Sequence, residues 1–172
     1  MLPPKNPIEG KDGKKISHLE KICEIAKPYL DLYKIQINLH GYCETCNAYF
    51  SLKQTEYEKA WELAQELNAW SQYISSYSNL IQDLFLDSET EKLSIQSEKS
   101  IEFSDKVASG DRYANTKSEV IAARKKRNAL KALYDSMTAE VEFLERAFYA
   151  CKSTNEWGQK EKNRYVQSEK HQ

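Results

Sequence analysis

Apolar residues recur at alternating steps of three and four along the C-terminal part of the chain. The segment from Asp111 to Trp157 has no Gly and no Pro, and its repeat is most regular from Leu130 onward. This is the a/d spacing of a heptad repeat, in which one stripe of a long helix packs against partner helices. We therefore predict a helix over residues 111–157, about 70 Å long. Its seam positions are Tyr113, Thr116, Val120, Ala123, Arg127, Leu130, Tyr134, Met137, Val141, Leu144, Phe148 and Cys151.

A second helical pattern, rich in aromatic side chains, precedes the first. It predicts a long helix over about residues 42–87, where Gly and Pro are again absent. Beyond Asp87 the sequence turns polar, so we expect the helix to fray or break there. Gly110 and Asp111 predict the turn into the last helix, with Asp111 as its cap. The apolar positions of the second pattern include Tyr57, Ala60, Trp61, Ala64, Leu67, Trp70, Ile74, Tyr77, Ile81, Leu84 and Phe85.

The two ends of the chain lack such patterns. Residues 1–15 hold three prolines, two glycines and four lysines, which predicts a mobile arm. Ser17 and Glu20 have the spacing of a capping box for a short helix, which Pro28 should end or kink. The apolar residues of 29–39 favour a further helix, and residues 158–172 read as a polar, partly disordered tail. One helical domain over residues 16–157 follows.

These elements predict an all-α protein, an elongated helical hairpin or bundle that associates into a homo-oligomer. The oligomer would use the regular part of the seam, because one compact core cannot cover so long a helix. A mean hydropathy of -0.76 and 30% charged residues favour a cytoplasmic protein without membrane spans, with its four cysteines as thiols. The predicted contacts between copies are Leu130, Tyr134, Met137, Val141, Leu144 and Phe148.

Charge is distributed unevenly along the chain, although the net charge is only -1. Seven basic residues lie between Arg112 and Lys131 against the single acid Glu119. Such a group can follow the phosphates of a single strand without recognising its bases. Acids near Glu91 could instead neutralise it if the chain turns back at Gly110, and Arg127 is unusual in either case because it falls in the seam. The predicted DNA contacts are Lys99, Lys117, Arg124, Lys125, Lys126 and Lys131.

Other candidate chemistry is sparse. His40, Cys43 and Cys46 lie three apart, but zinc sites need four ligands, and buried thiols are the favoured interpretation. Trp61 and Trp70 lie at core spacing, as do most aromatic residues, which favours packing over base stacking. The sequence contains no phosphate-binding Gly-rich loop, no His-Glu-x-x-His and no Gly-x-Ser-x-Gly. We therefore expect a binding protein without catalytic activity, metal or cofactor.

Residues 68–153 resemble the UvsY-type recombination mediators of T4-type phages in the order and spacing of residue types. An aromatic helix is followed by a polar segment ending in Phe103-Ser104, by Gly110-Asp111, and by a helix that closes on residues 147–152. That family carries two basic residues just before the aromatic-Ser step, and this sequence offers Lys99 with Ser97 at the other position. The remaining matching positions are Trp70, Tyr73, Tyr77, Ser78, Tyr113, Ser118, Val120, Ala123 and Cys151.

The resemblance implies a helical ring that binds single-stranded DNA and needs no cofactor. It implies two protein partners, a RecA-like recombinase and the single-strand-binding protein that the recombinase replaces. The alternative is a helical protein-interaction module, of phage or defence-related type, that binds no nucleic acid and uses its charges to pair helices.

Overall fold

The computed structural model describes residues 8–9, 15–103 and 107–169. Strands β1 (Ile8–Glu9) and β2 (Lys15–Ile16) form a small antiparallel pair. All further regular elements of the described chain are helical, so the predicted all-α class is confirmed. They are α1 (His18–Leu30), a 3₁₀ turn (Asp31–Tyr33), α2 (Tyr42–Ser51), α3 (Tyr57–Phe103), α4 (Val107–Ala114) and α5 (Ser118–Glu169).

Helices α3 and α5 form an antiparallel hairpin. The hydroxyl of Tyr57, where α3 begins, donates to Glu161 near the end of α5 over 2.8 Å. Midway, the hydroxyl oxygens of Ser78 and Thr138 lie 3.4 Å apart. Burying one apolar stripe from each helix holds the pair together. The stripes include the fully buried Leu67, Ile74 and Ile81 of α3 and Leu130, Met137 and Leu144 of α5.

The regular part of the seam therefore finds its partner within the same chain. Leu130, Met137 and Leu144 are inaccessible to solvent. Tyr134, Val141 and Phe148 pack against the same core. The prediction that Leu130, Met137 and Leu144 lie between copies is thus corrected, because this chain itself covers them. Tyr134, Val141 and Phe148 stay partly exposed, so their contact with another copy stays a prediction, as does the association of copies itself.

The predicted helix over 42–87 begins at Tyr42 as expected, but it is interrupted after Ser51 and its predicted end at residue 87 is wrong. The chain leaves helical geometry at Leu52, whose backbone is extended, and enters α3 only at Tyr57. The Glu56 carboxylate accepts from the Lys53 N–H at 3.0 Å, which stabilises the new helix start. No break follows Asp87, because small polar residues continue the buried stripe. Ser88 is 1% exposed, and its hydroxyl donates to the Phe85 carbonyl at 2.7 Å.

Both glycines of the second half lie inside helices, which corrects the predicted turn and tail. A Cβ at Gly110 would lie 2.6 Å from the Ser100 carbonyl oxygen, so glycine lets α4 approach α3 closely. The turn described in this region instead covers residues 115–117. A Cβ at Gly158 would lie 2.1 Å from Cγ of Tyr57, which packs on the α5 backbone. Helix α5 therefore spans 118–169 rather than 111–157, and residues 170–172 lie outside the described chain.

The N-terminal region matches the predictions in part. The capping box is confirmed, since Ser17 Oγ accepts from the Glu20 N–H at 3.1 Å and Glu20 accepts from the Ser17 N–H at 2.6 Å. Pro28 does not end α1, which continues to Leu30. Most of the predicted arm, residues 1–7 and 10–14, lies outside the described residues, while 8–9 and 15 belong to the strand pair.

The helix predicted over residues 29–39 is wrong after the 3₁₀ turn. Lys34 has a left-handed backbone with φ of 56°, and residues 35–39 are not helical. Two tyrosines of α3 hold this segment against the hairpin. Tyr73 accepts from the Asn38 N–H at 2.9 Å, and Tyr77 donates to the Gln36 carbonyl at 3.0 Å. Tertiary hydrogen bonds thus replace the helical ones that local periodicity suggested.

The hairpin has two flanks that differ in what lies over them. On the covered flank, α2 packs against α3 and α1 packs against α5. Tyr42 and Thr45 of α2 contact Trp70 of α3, and the Gln36 carbonyl accepts from Tyr77. The core positions of α3 at this heptad step are Leu63, Trp70, Tyr77 and Leu84, and Leu133 and Ala147 of α5 belong to the same core. On the open flank lie Trp61, Asn68 and Ser75 of α3, Lys117 in the turn before α5, and Arg124, Lys131, Thr138 and Glu145 of α5, again at steps of seven.

Candidate nucleic-acid interface

Three predicted DNA contacts form a row on the open flank. Arg124 and Lys131 lie seven apart on the continuous helix α5, so they share one face about 10 Å apart. Lys117 lies seven residues before Arg124 in the turn that precedes α5, and its carbonyl accepts from the Ile121 N–H at 3.0 Å. Lys117 Nζ lies 3.9 Å above the Tyr113 ring, and Arg124 donates to the side chain of Asn115 in the turn before α5. The turn and the short helix α4 thus orient the first two members of the row.

The third member is tied to its own helix. Lys131 Nζ lies 2.8 Å from a carboxylate oxygen of Asp135 one turn further on, and 5.8 Å from the Phe85 ring centre. Its side chain remains 46% exposed. Exposed ion pairs of this type contribute about 0–1 kcal/mol, so a phosphate can compete for the ammonium group. Next to the row, Lys125 is exposed and forms no ion pair with a described residue.

Lys126 lies on the other side of the seam. Its Nζ is 2.7 Å from Glu91 of α3 and 5.5 Å from the Tyr33 ring centre, and its side chain is only 16% exposed. Burial alone would lower the pKa of this amine, but hydrogen bonds with Glu91 and Tyr33 outweigh it and raise the pKa. Lys126 therefore links α5 to α3, which is the internal neutralisation that the sequence offered as an alternative.

Lys99 is also separate from the row. It lies on α3, and its Nζ forms a 2.9 Å ion pair with Glu102. That hydrogen bond raises the pKa of Lys99, and the nearby negative charges of Glu119 and Glu98 raise it further. The structure thus divides the predicted patch. It brings together Lys117, Arg124 and Lys131 with Lys125 beside them, and it places Lys126 and Lys99 among acids.

The seam becomes polar towards the tip of the hairpin. Arg127 occupies a seam position, and its Nε is buried without a hydrogen-bond partner in the described part of the chain. The same holds for Oε1 of Gln96 on α3. Buried polar groups without partners are costly. This end of the hairpin is consequently bound less tightly than the apolar middle.

A polar groove lies further along the open flank, and sequence reasoning missed it. It encloses about 490 Å³ between α3 and α5. Tyr149 is 65% exposed at the edge of the groove, and its ring lies edge-to-face with that of the seam residue Phe148. The sequence contained a signal for this groove, because the polar residues Asn68 and Ser75 lie seven apart on a helix that is otherwise rich in aromatic residues. The lining residues are Asn68, Ser71, Gln72, Ser75, Ser76, Asn79, Glu145, Phe148 and Tyr149.

The other aromatic candidates pack internally. The ring centres of Trp70 and Tyr42 lie 5.4 Å apart in an edge-to-face arrangement, and the indole N–H donates to Thr45 at 3.3 Å. Tyr73 and Tyr77 bond to the backbone of residues 36–38 on the covered flank. The expectation that these three side chains are structural is confirmed. Trp61, in contrast, is 44% exposed on the open flank.

The cysteine and histidine candidates show no metal-binding arrangement. Among the described residues, no group of three or more His, Cys, Asp or Glu side chains could hold a metal ion. All four cysteines are free thiols, as expected. Burial raises the pKa of Cys46 to about 12, and that of Cys23 likewise to about 12. At neutral pH these two side chains are therefore protonated and weakly nucleophilic.

Comparison with known proteins adds no further assignment. No protein-family model, no curated protein and no solved structure matches the chain. Within the ranges that the structure describes, no helix has both the length and the apolar character required to span a membrane.

Proposed function

We propose that this protein is a non-catalytic accessory protein that binds single-stranded DNA along its open flank. The observation that carries the proposal is the heptad row of Lys117, Arg124 and Lys131 along the open flank, with the exposed Lys125 beside it. Basic side chains at regular intervals contact phosphates without recognising base identity. The exposed ring of Tyr149 further along this flank supplies a surface on which a base can stack.

The cellular role that we propose follows from the resemblance to UvsY-type mediators. The protein would hold single-stranded DNA while a RecA-like recombinase replaces single-strand-binding protein. Three or four phosphate contacts per chain give weak binding, so several copies on one strand would be needed for avidity. Since the regular part of the seam is buried or half-buried, such copies would associate mainly through other side chains. Leu86, Leu93 and Ile101 of α3 are at least half exposed and suit this purpose.

The test removes the row and compares it with equal charge loss elsewhere. The triple variant Lys117→Gln, Arg124→Gln and Lys131→Gln should bind a fluorescent oligonucleotide more weakly. The slope of log affinity against log salt should fall by about 2, because each lost phosphate contact removes about 0.7. Fluorescence anisotropy at several salt concentrations measures both quantities. The same variant should also load a RecA-type recombinase more slowly onto DNA coated with single-strand-binding protein.

The matched control changes three lysines at the other end of the hairpin. Lys59, Lys160 and Lys162 lie near Glu56, Trp157 and Glu58, away from the row. Replacing these three by Gln alters net charge equally and should leave the salt slope within about 0.5 of the unsubstituted protein. If both triple variants lose affinity equally, binding is non-specific attraction and the row is not the site. If the unsubstituted protein does not bind the oligonucleotide, DNA binding is rejected.

A helical protein-interaction module is the second candidate, and two observations favour it. Ion pairs with acids engage Lys99, Lys126 and Lys131, which lowers the charge available for phosphates. In addition, the exposed Leu86 and Leu93 lie one heptad apart on α3, a spacing that suits contact with another helix. For this candidate the row variant has no DNA binding to lose. The Leu86→Ser and Leu93→Ser double variant instead changes the sedimentation of the protein with its partner.

A further inference from the structure

We propose that the groove between α1, α2 and α5 is a binding site for a small, neutral, planar aromatic compound that carries a hydroxyl group. The groove encloses about 510 Å³, within the usual range of ligand sites. It lies on the covered flank, and its lining residue Asp135 forms the ion pair with Lys131, the last member of the basic row. The ligand proposed here contacts other residues of the lining, so its binding does not depend on the DNA binding proposed above.

The walls of the groove are aromatic and leave one ring face uncovered. Phe50 of α2 and Phe143 of α5 stack with ring centres 5.7 Å apart and an interplanar angle of 23°. Phe50 nevertheless remains 54% exposed. Ala139 of α5 also lines the groove and, as a small residue, leaves space beside these rings. A flat aromatic ligand would bury this exposed apolar surface in the offset geometry that aromatic pairs prefer.

The polar side of the groove contains a side-chain nitrogen that lacks a partner. His18 Nδ1 is buried, and none of the described residues forms a hydrogen bond with it. An imidazole nitrogen is a donor or an acceptor according to its tautomer. A hydroxyl group can satisfy either form, because it both donates and accepts. Rotation of the imidazole ring would bring this nitrogen to the groove surface, and its hydrogen bond with the ligand hydroxyl group is the polar interaction that we assign to the ligand.

The charges of the lining favour a neutral compound. Glu140 lines the groove, and one of its carboxylate oxygens accepts from the Tyr42 hydroxyl at 2.5 Å. That carboxylate disfavours an anionic ligand. Asp135 and Arg146 also line the groove with opposite charges. Binding is reversible rather than covalent, since burial raises the pKa of Cys46 to about 12 and keeps its thiol protonated at neutral pH.

The test uses two probes that differ by one hydroxyl group, 2-naphthol and naphthalene. Equilibrium dialysis of the full chain should show saturable binding of 2-naphthol, with naphthalene about fivefold weaker for want of one hydrogen bond. In His18→Phe the two probes should bind equally. Ala139→Trp should fill the groove and weaken both probes at least about tenfold. The matched control is Ala132→Trp, which adds the same side chain to an exposed position one heptad earlier on α5.

Three results would overturn the inference. The first is absence of saturable 2-naphthol binding by the unsubstituted protein. The second is equal binding by Ala139→Trp and Ala132→Trp, which would place the probe elsewhere. The third is an unchanged preference for 2-naphthol in His18→Phe, which would remove His18 from the site. Circular dichroism of each variant confirms that α-helical content is retained, and DNA affinity should not change in any of them.

Discussion

The covered and open flanks of the hairpin use the same heptad geometry with different side chains. On the covered flank, α3 presents Leu63, Trp70, Tyr77 and Leu84, and residues of the N-terminal elements contact Trp70 and Tyr77. On the open flank the corresponding positions are Trp61, Asn68 and Ser75, next to a polar groove between α3 and α5. The side that receives further elements is thus the apolar and aromatic one.

The covered flank combines apolar burial with hydrogen bonds to an irregular segment. Tyr73 and Tyr77 partly bury their rings against the core, and their hydroxyl groups form hydrogen bonds with the backbone of residues 36–38. Those backbone groups lie outside any helix or strand, so hydrogen bonds with the two tyrosines take the place of those of regular secondary structure. The open flank makes no such demand and retains charged side chains in contact with solvent. Stability should therefore depend on one flank, and binding of phosphates on the other.

The largest expected difference between the flanks is in tryptophan truncation. Trp70→Ala should lower the free energy of unfolding by about 3–4 kcal/mol, since the indole packs against Tyr42 and Tyr73 and donates to Thr45. Trp61→Ala should cost only about 1 kcal/mol, because its side chain is 44% exposed. Urea denaturation followed by circular dichroism measures both. Equal costs would contradict the assignment of stability to the covered flank.

Alkaline pH should also act through the covered flank. Burial raises the pKa of Cys23 and of Cys46 to about 12, whereas the pKa of a thiol in the unfolded chain is about 8.5. Between these values the unfolded chain binds fewer protons than the folded one. The stability contributed by the thiols is thus complete below about pH 8.5 and is lost as pH rises, by up to about 1.4 kcal/mol per pH unit for each thiol.

The measurement is urea denaturation at a series of pH values between about 8 and 10, within the window set by these pKa values. The double variant Cys23→Ala and Cys46→Ala should be less stable at neutral pH but lose stability less steeply with rising pH. Ser75→Ala on the open flank serves as the control and should keep the original slope. A double variant with an unchanged slope would show that these thiols do not govern the alkaline response.

Sequence periodicity predicted the helical class and the composition of the buried stripes, because heptad spacing depends only on local geometry. It placed Leu130, Met137 and Leu144 on one buried face but assigned that face to another copy of the chain. Which helix covers a stripe is decided by the chain reversal, and spacing within one helix contains no information about it. Gly110 and Gly158 illustrate the same limit. Glycine favours turns by local preference, but in this fold Gly110 allows a close contact with Ser100 and Gly158 allows one with Tyr57.

The candidate site was predictable in part for a related reason. A step of seven identified Lys117, Arg124 and Lys131 as one row, and in the structure Arg124 and Lys131 share one face of α5 while Lys117 lies in the turn just before it. The sequence could not separate them from Lys126. Neighbouring residues in a helix point to different flanks, and the flank on which Lys126 lies is evident only from its ion pair with Glu91. The groove beside Phe50 could not be anticipated at all, since it is formed by three elements that are distant along the chain.

The smallest expected effects distinguish two lysines that lie five residues apart on α5. Lys126→Gln should cost about 0.5–1 kcal/mol of stability, because it breaks the ion pair with Glu91 at a side chain only 16% exposed. Lys131→Gln should cost less than about 0.3 kcal/mol of stability, since its ion pair with Asp135 lies within one helix and the Lys131 side chain is 46% exposed. For DNA binding, the order of the two effects should reverse. Loss of Lys131 should reduce the salt slope by about 0.7, and loss of Lys126 should leave it unchanged.

A double-mutant cycle with Glu91→Gln isolates the coupling of the Lys126 pair from other effects of the substitution. The coupling energy should account for most of the cost of Lys126→Gln. If instead Lys126→Gln reduces the salt slope and Lys131→Gln does not, the DNA lies on the covered flank. The division between a stabilising flank and a binding flank would then be wrong, because the ion pair between α3 and α5 would have to open for binding.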